Sequence, residues 1–470
     1  MRVSHIPHFI YLTMMAFLTV EVIYFFSISG EFNLLYLYLS SILAFGIPLL
    51  IIKYIAIELK PIFRMYLIIT GIFLPISVIN YIYDPSIGRY ATSLDIDLVD
   101  TIVIIKCLFI HCVITSGIGL SLISLTNKKN YQRAPFSISK KNLPVEQMFW
   151  LTFFCLALSM ADNFLFGGSL VGGGMQERGN TSLQAIASLF DPAFALLIYC
   201  FIAATVNLKK FLPSIAFLLA TYCILAMIGG SKEGLLRVFY IVAALLLILS
   251  PNYFISKRRI LIWAPTFLIA GVSIAVLGHF ARAYSTIGEL SLNYGGGGDS
   301  IEIMAQFLMS RLGGMDDFIL IMAQPNIDHT GMYNFQNMIG SYFNFILPGN
   351  PFDTLPLTQY IGHYYRGIPL SDIYFYYSSQ EITLSATIYL LSGKWYFFIF
   401  LPFYLIFFSL IVRFIFYTPR LRYLCPIFVF NMVYLSRSLS LDDSLFNFTL
   451  GILISILLFE VALIMKRLKF

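Results

Sequence analysis

Long apolar stretches separated by short connectors run through most of this sequence, and they constrain its fold more than any other feature. A bilayer hydrocarbon core of about 30 Å requires roughly 20 apolar residues in a helix. Lipid offers no hydrogen bonds to exposed backbone groups, so each such stretch is expected to be helical. We therefore predict an all-α polytopic membrane protein with about twelve transmembrane helices. The predicted spans cover residues 8–28, 34–52, 62–82, 101–125, 145–166, 183–206, 211–228, 234–250, 260–280, 395–416, 422–437 and 444–465.

The composition excludes an ordinary soluble domain, because 59% of the 470 residues are hydrophobic and only 11% are charged. Average soluble domains carry roughly 25% charged residues. The six cysteines all fall inside apolar stretches and form no Cys-x-x-Cys pair, which argues against a disulfide or zinc framework. The N-terminal residues run into the first span without a small-residue cleavage pattern, so we expect a retained span and not a removed signal peptide.

Lysine and arginine are concentrated in alternate connectors, and this pattern predicts the orientation of the chain. Cytoplasmic loops of membrane proteins carry an excess of positive charge. With both termini in the cytoplasm, all the short basic segments fall on the cytoplasmic side of a multi-pass protein. These segments are residues 53–64, 128–141, 209–210, 257–259, 413–422 and 466–469.

One connector is far longer than the others. Residues 1–280 carry nine predicted spans, residues 281–394 form a long extracytoplasmic loop with short helices, and residues 395–470 carry three more spans. A loop of this length is usually functional, and its many aromatic residues indicate an ordered structure. Its apolar stretch 381–391 is too short to cross a bilayer, so we predict a short helix on the outer face or dipping into it.

Cations on the outer side are informative, because topology selects against positive charge there. Arginine has a planar fork that suits phosphate oxygens, so a group of outer cations would form an anion-binding pocket at the membrane surface. The alternative is that each cation pairs with a nearby carboxylate or reaches lipid headgroups. Asp191, within a predicted span, is interpreted as a partnered structural carboxylate. The outer cations include Lys232, Arg237, Arg282, Arg311, Arg366 and Arg437.

Two histidines each precede an arginine by three residues, His279 before Arg282 and His363 before Arg366. In a helix this spacing puts both side chains on one face. Such a pair would let the arginine hold an anion while the histidine moves a proton near neutral pH. Carboxylates compete for the role of general base, and the choice stays open. They are Glu233, Asp316, Asp317, Asp372 and Glu381.

Motifs for nucleotide and metal chemistry are absent from the sequence. It has no Walker loop, no dinucleotide-binding glycine motif between a strand and a helix, and no metal-ligand spacing. We therefore predict no cofactor, no metal and no nucleic-acid partner. Energy is expected to come from a gradient or an activated substrate and not from ATP.

Two segments carry a resemblance to a known family. The segment from Gly229 to Arg237, Gly-Gly-Ser-Lys-Glu-Gly-Leu-Leu-Arg, resembles that family's Gly-Ser-Arg motif, with Lys232 in place of the arginine. The segment from Ser385 through Gly393 and Trp395 resembles the stretch that closes the family's long loop, although it lacks the glutamate often found there. With the arrangement of spans, nearly the whole chain resembles the bacterial oligosaccharide repeat-unit polymerases, the O-antigen polymerase family.

The resemblance implies a fold similar to the membrane-embedded C-type glycosyltransferases, in the bacterial inner membrane with a periplasmic active site. It implies a metal- and nucleotide-independent polymerase that joins undecaprenyl-diphosphate-linked oligosaccharides into O-antigen or a related surface polysaccharide. The implied partners are these lipid-linked oligosaccharides, membrane lipids and a polysaccharide chain-length regulator. The candidates are His279, His363, Glu233 and Glu381 for catalysis, Lys232, Arg282, Arg311, Arg366 and Arg437 for the substrate diphosphate, and Tyr284, Tyr364 and Tyr365 for sugar rings.

Two other functions stay open. A lipid-linked oligosaccharide flippase or another secondary transporter fits the number of spans, although the long loop and the lack of two similar halves count against it. A transporter is expected to keep its cations along a central passage, and a polymerase to keep them at the outer rim. An O-antigen ligase differs from a polymerase mainly in its acceptor, which the sequence does not reveal.

Overall fold

The structure is a computed structural model. It describes residues 46–55, 59–60, 62–64, 66–67, 101–124, 143–165, 186, 190–228, 232–249, 318–319, 322, 335–347, 352, 354, 384–435 and 441–468. Every regular element in these residues is helical, as the apolar stretches predict. The α-helices are α1 (Thr101–Ser124), α2 (Val145–Leu165), α3 (Pro192–Ile228), α4 (Lys232–Leu249), α5 (Phe335–Ile346), α6 (Leu384–Tyr417), α7 (Cys425–Leu435) and α8 (Leu441–Arg467), and short 3-10 helices cover Ile52–Tyr54 and Pro419–Leu424.

Helices α1, α2 and α4 begin and end close to the predicted spans 101–125, 145–166 and 234–250. Among the described residues, three helices contain a segment long and apolar enough to cross a membrane, and one bent helix pair would make a fourth. By length and composition the three segments are Ile105–Ile123, Pro192–Ala226 and Phe448–Arg467, of which the second is interrupted at Asn207. The predicted spans 8–28 and 260–280 lie outside the described residues, so the total of about twelve spans stays a prediction.

Helix α3 reverses its direction at Asn207. The backbone there leaves the helical region, with φ −163° and ψ 95°, and the side-chain Oδ1 accepts the backbone N–H of Lys210 at 3.2 Å. The hydroxyls of Tyr199 and Ser214, on opposite sides of the break, are hydrogen-bonded to each other. In a straight helix these residues would be about 22 Å apart, so the two arms must lie side by side. The break falls in the connector predicted between the spans 183–206 and 211–228.

Helix α6 bends strongly between its first turns and its second half. Ser385 contacts His111 of α1, and Leu405 packs against Gly117 of the same helix. A straight α6 would separate Ser385 from Leu405 by about 30 Å, whereas His111 and Gly117 lie less than two turns apart. The helix must therefore turn between these two contacts.

This bend concerns the apolar stretch 381–391, for which the sequence predicts a separate short helix. The stretch is helical from Leu384, but the helix does not end at residues 392–394 and continues to Tyr417. A glycine inside a helix costs only about 1 kcal/mol, so Gly393 does not by itself end the helix. The first arm packs into the protein, because Ser385 and Ile388 are buried.

Small and aromatic residues set the packing at the centre of the described bundle. Phe194 of α3 meets the ring of Phe430 of α7 edge to face, with centroids 6.2 Å apart. Gly451 of α8 lies against Phe194, where an added Cβ would be 2.8 Å from the ring. Glycine at a helix interface lets neighbouring backbones approach closely. Thr152 of α2 donates a hydrogen bond to the carbonyl of Ala195 at 3.2 Å and joins α2 to the same cluster.

The N-terminal end of α2 and the C-terminal end of α8 lie together, because Lys466 Nζ donates to the Leu143 carbonyl at 3.0 Å. The sequence predicts both ends in the cytoplasm, and the contact agrees with their placement on one side. The compartment on that side stays a prediction.

Candidate functional site

Most of the predicted site residues lie outside the described residues. Lys232 and Glu233 are the exceptions, and their backbones form the first two positions of α4. The described residues therefore do not test whether the predicted residues come together, and the anion-binding pocket of outer cations stays a prediction. The predicted residues outside the described part are His279, Arg282, Tyr284, Arg311, His363, Tyr364, Tyr365, Arg366, Glu381 and Arg437.

The described part contains a different ionic contact, between Asp191 and Arg237. Arg237 Nη1 donates to Asp191 Oδ2 at 2.7 Å, and both side chains are partly buried. The other carboxylate oxygen, Oδ1, accepts the backbone N–H of Ala193 at 2.8 Å. One carboxylate thus joins the start of α3 to the second turn of α4. The interpretation of Asp191 as a partnered carboxylate is confirmed.

Asp191 stands directly before the first residue of α3, Pro192. The sequence places it inside a span beginning near residue 183, and most of residues 183–189 lie outside the described residues, so the start of that span stays a prediction. Aspartate is a favoured residue before a helix because its side chain accepts an otherwise unpaired N–H group, and proline is favoured at the first helical position. The positive end of the helix dipole also stabilises the carboxylate there.

The pair affects how the segment Gly229 to Arg237 is held. Arg237 is engaged by a carboxylate from another helix, and a charge-assisted bond of this length is stronger than a neutral hydrogen bond. Lys232 lies five residues earlier, which places it about 140° around the helix axis and about 7.5 Å along it. The two backbone positions therefore lie on different faces of α4. Arg237 anchors the segment, and the role of Lys232 in binding an anion stays a prediction.

Aromatic packing supports the Asp191–Arg237 pair one turn further along both helices. Phe194 follows Asp191 by three residues and Tyr240 follows Arg237 by three, and both rings meet Phe430 of α7, at 6.2 and 6.4 Å between centroids. The ion pair thus lies at the margin of an apolar cluster that fixes the positions of α3 and α4. Such support holds a charged pair in one geometry.

A second polar contact joins α1 to α6 through His111. Its Nδ1 is 3.4 Å from the buried Ser385 Oγ, and its Nε2 is 3.4 Å from Thr115 Oγ1. These distances are long for hydrogen bonds and indicate weak contacts. A hydroxyl can donate or accept, so either neutral tautomer of the imidazole is satisfied by this arrangement.

Phe318, a residue of the predicted long loop, lies beside this second contact and is fully buried. Its carbonyl accepts a hydrogen bond from the Cys107 thiol at 3.8 Å, and its ring meets Tyr389 at 6.0 Å between centroids. Cys107 lies one helical turn before His111, and Tyr389 lies one turn after Ser385. A residue of the predicted loop is therefore part of the helical core beside the His111–Ser385 contact.

His111 and Ser385 were not among the predicted site residues. A signal for His111 exists, since an ionisable residue inside a transmembrane helix is by default a candidate for function. Ser385 opens one of the two segments that carry the family resemblance, but no local pattern indicates that it contacts a residue of α1. The described residues contain no group of three or more histidine, cysteine, aspartate or glutamate side chains that could hold a metal ion.

Comparisons with known proteins leave the resemblance to the O-antigen polymerases as an expectation. No protein-family model, no curated protein and no solved structure matches this chain.

Proposed function

We propose that this chain is a glycosyltransferase that polymerises undecaprenyl-diphosphate-linked oligosaccharides at the outer face of the bacterial inner membrane. The observation that supports the proposal is the burial of Phe318, a residue of the predicted long loop, between α1 and the first arm of α6. A loop that shares the helical core can hold its polar residues in fixed positions relative to the bundle, as a catalytic site requires. A simple connector has no need of such packing.

The proposed reaction transfers the growing chain to one lipid-linked repeat unit. A hydroxyl oxygen of the acceptor sugar forms a bond to the anomeric carbon of the donor, while the bond from that carbon to the diphosphate breaks. Undecaprenyl diphosphate leaves with the electron pair, and outer cations such as Arg282 and Arg366 stabilise its charge. The hydroxyl proton passes to a general base, for which His279, His363, Glu233 and Glu381 are the candidates.

In this proposal the Asp191–Arg237 pair has a positioning role. It supports the proposal because it fixes the segment that resembles the family motif while leaving Lys232 on another face of α4. Positioning groups that are rigidly held lower the cost of orienting a substrate. Arg237 then acts through Lys232 and not on the diphosphate itself.

The test is incubation of the purified protein with defined lipid-diphosphate repeat units in the presence of a chelator and without nucleotide. We expect a ladder of products that differ by one repeat unit, still attached to the lipid. The matched control is the Lys209→Ala variant, because Lys209 is exposed and lies at the turn within α3. It is expected to give the same ladder.

Other outcomes of this experiment distinguish the alternatives. Movement of a labelled lipid-linked oligosaccharide across a proteoliposome membrane, with no change in its length, would indicate a transporter. Transfer to a lipopolysaccharide core acceptor, with no self-polymerisation, would indicate a ligase. Either result overturns the polymerase proposal.

A further inference from the structure

Two short segments before α1 pack against that helix and form the two arms of a turn. Residues 46–54 are helical, and so are the described residues between 60 and 67. Ile51 of the first arm and Phe63 of the second both meet Gly119 of α1, where an added Cβ would lie 2.8 Å from either side chain. A straight helix would separate Ile51 from Phe63 by about 18 Å. The chain therefore turns back between these two contacts.

The turn between the two arms is basic. Residues 53–64 contain three cations, Lys53, Lys60 and Arg64, and one carboxylate, Glu58, which lies outside the described residues. Lys60 and Arg64 are four residues apart on helical backbone, so they lie on one side of the second arm. Two like charges at this spacing destabilise a helix. An anion bound between them would remove the repulsion.

Arg64 carries the strongest indication of a ligand. Its Nε is buried and has no hydrogen-bond partner among the described residues. In the part of the chain that the structure describes, neither Lys60 nor Arg64 takes part in a salt bridge. Ile62 and Phe63, directly before Arg64, are buried, so the arginine lies at the edge of the packed interior. A buried donor without an acceptor is costly, above all on a charged group, and an acceptor oxygen on a ligand would satisfy it.

The position of the turn indicates which ligand this is. Leu50 and Tyr54, one helical turn apart on the first arm, are both 69% exposed. A tyrosine at the end of an apolar stretch is typical of the boundary between membrane and water. The second arm leads into the predicted span 62–82, so Lys60 and Arg64 lie at the level of the lipid headgroups if both arms enter the bilayer. Cations at this level attract anionic lipids, and the planar fork of arginine suits phosphate oxygens.

We propose that Arg64 and Lys60 bind the phosphate of an anionic phospholipid. Arg64 Nε donates a hydrogen bond to a phosphate oxygen, and Lys60 supplies the second positive charge. The bound lipid holds the turn between the two arms at the membrane surface. The predicted orientation puts this site on the cytoplasmic side, opposite to the proposed catalytic side. The inference therefore does not rest on the proposed enzymatic activity, and either can fail alone.

Native mass spectrometry of the purified full chain in detergent tests this site. The protein is titrated with phosphatidylglycerol and, separately, with phosphatidylcholine that has the same acyl chains, and the affinity for the first bound lipid is measured. A third series adds inorganic phosphate as a competitor of phosphatidylglycerol. The test variants are Arg64→Gln and Arg64→Lys. The matched control is Lys53→Gln, because Lys53 is an exposed lysine at the same turn.

We expect the wild-type protein to bind phosphatidylglycerol more tightly than phosphatidylcholine. Arg64→Gln should reduce the affinity for phosphatidylglycerol by about tenfold, because a charge-assisted contact is lost. Arg64→Lys keeps the charge but loses the planar fork, so we expect a smaller loss. Lys53→Gln should bind phosphatidylglycerol as the wild-type protein does.

Three results would overturn the proposal. The first is equal affinity of the wild-type protein for the two lipids. The second is an equal loss of affinity in Lys53→Gln and Arg64→Gln, which would indicate diffuse attraction to the basic turn. The third is displacement of phosphatidylglycerol by an equal concentration of inorganic phosphate, which would indicate a site for free anions. If Arg64→Gln does not fold, Lys60→Gln removes the second charge, and unchanged binding of phosphatidylglycerol in that variant would contradict the proposed pair.

Discussion

At the scale of single residues, Asp191 combines two interactions that substitutions can separate. Asparagine at this position would keep an oxygen for the Ala193 N–H group but would lose the charge opposite Arg237, whereas alanine would lose both. We expect Asp191→Ala to be less stable than Asp191→Asn by about 1 kcal/mol, the usual value of such a cap. Both variants leave Arg237 partly buried without this carboxylate, which costs more than the loss of an exposed ion pair.

Thermal unfolding in detergent measures this difference. Glu146→Gln is the matched control, because Glu146 is an exposed acidic residue in the first turn of α2, and we expect little change from it. Equal unfolding temperatures for the asparagine and alanine variants at position 191 would contradict the capping role. Wild-type stability in both would contradict the ion pair as well.

The predicted outer arginines are tested by loss of polymer. We expect alanine at Arg282 or Arg366 to abolish long-chain polysaccharide in cells while the protein still inserts, because the diphosphate leaving group would lose a stabilising cation. Gel analysis of chain length gives the result, and membrane fractionation checks insertion. A normal distribution of polysaccharide chain lengths from both variants would exclude the anion-binding pocket of outer cations.

Residue types alone predict part of the site and miss the rest for a physical reason. Asp191 inside an apolar stretch needs a partner, and this much follows from the cost of an isolated charge in lipid. The identity of the partner does not follow, since Arg237 lies 46 positions away and no local spacing links the two. The contact between His111 and Ser385, 274 positions apart, is hidden in the same way.

At the scale of helices, the packing of α8 on α3 depends on Gly451. An alanine there would place its Cβ 2.8 Å from the Phe194 ring, so the helices must move apart or the ring must turn. We expect Gly451→Ala to destabilise the protein by about 1–3 kcal/mol, as overpacking usually does. Thermal unfolding is the measurement.

A second substitution identifies the cause of this loss. Phe194→Leu should recover part of the stability in the Gly451→Ala background, because the smaller side chain makes room for the added methyl group. Leu453→Ala is the matched control, since Leu453 is an exposed residue of the same helix. Independent, additive effects at positions 451 and 194 would contradict direct contact.

Helix positions follow largely from the apolar stretches, as α1, α2 and α4 show, because length and hydropathy decide where a helix suits a bilayer. The break in α3 was also predictable, since Lys209 and Lys210 interrupt the apolar run. The bend in α6 was not. The apolar, helix-forming sequence continues through the bend, so no local pattern marks it. The direction of each arm depends on contacts with α1 that the local sequence does not encode.

At the scale of the whole molecule, the predicted orientation is tested by labelling from outside the cell. A cysteine at Gly297, in the long loop, is expected to react with a membrane-impermeant reagent, and a cysteine at Asn130 is expected to be protected. The native cysteines give a low background, because all except Cys223 are buried. Labelling at 130 but not at 297 would invert the orientation.

If each arm of α3 crosses the membrane, as the sequence predicts, the turn at Asn207 decides on which side of the membrane every later connector lies. If α3 were one straight helix, it would end on the side of the membrane opposite to its start. Each later connector would then lie on the other side of the membrane. Because the two arms of α3 lie side by side, the end of α3 is close to its start. Arg237, in the next helix, can therefore contact Asp191. A substitution that straightened this turn would then move the whole predicted long loop to the other side of the membrane, even though every residue of that loop was unchanged.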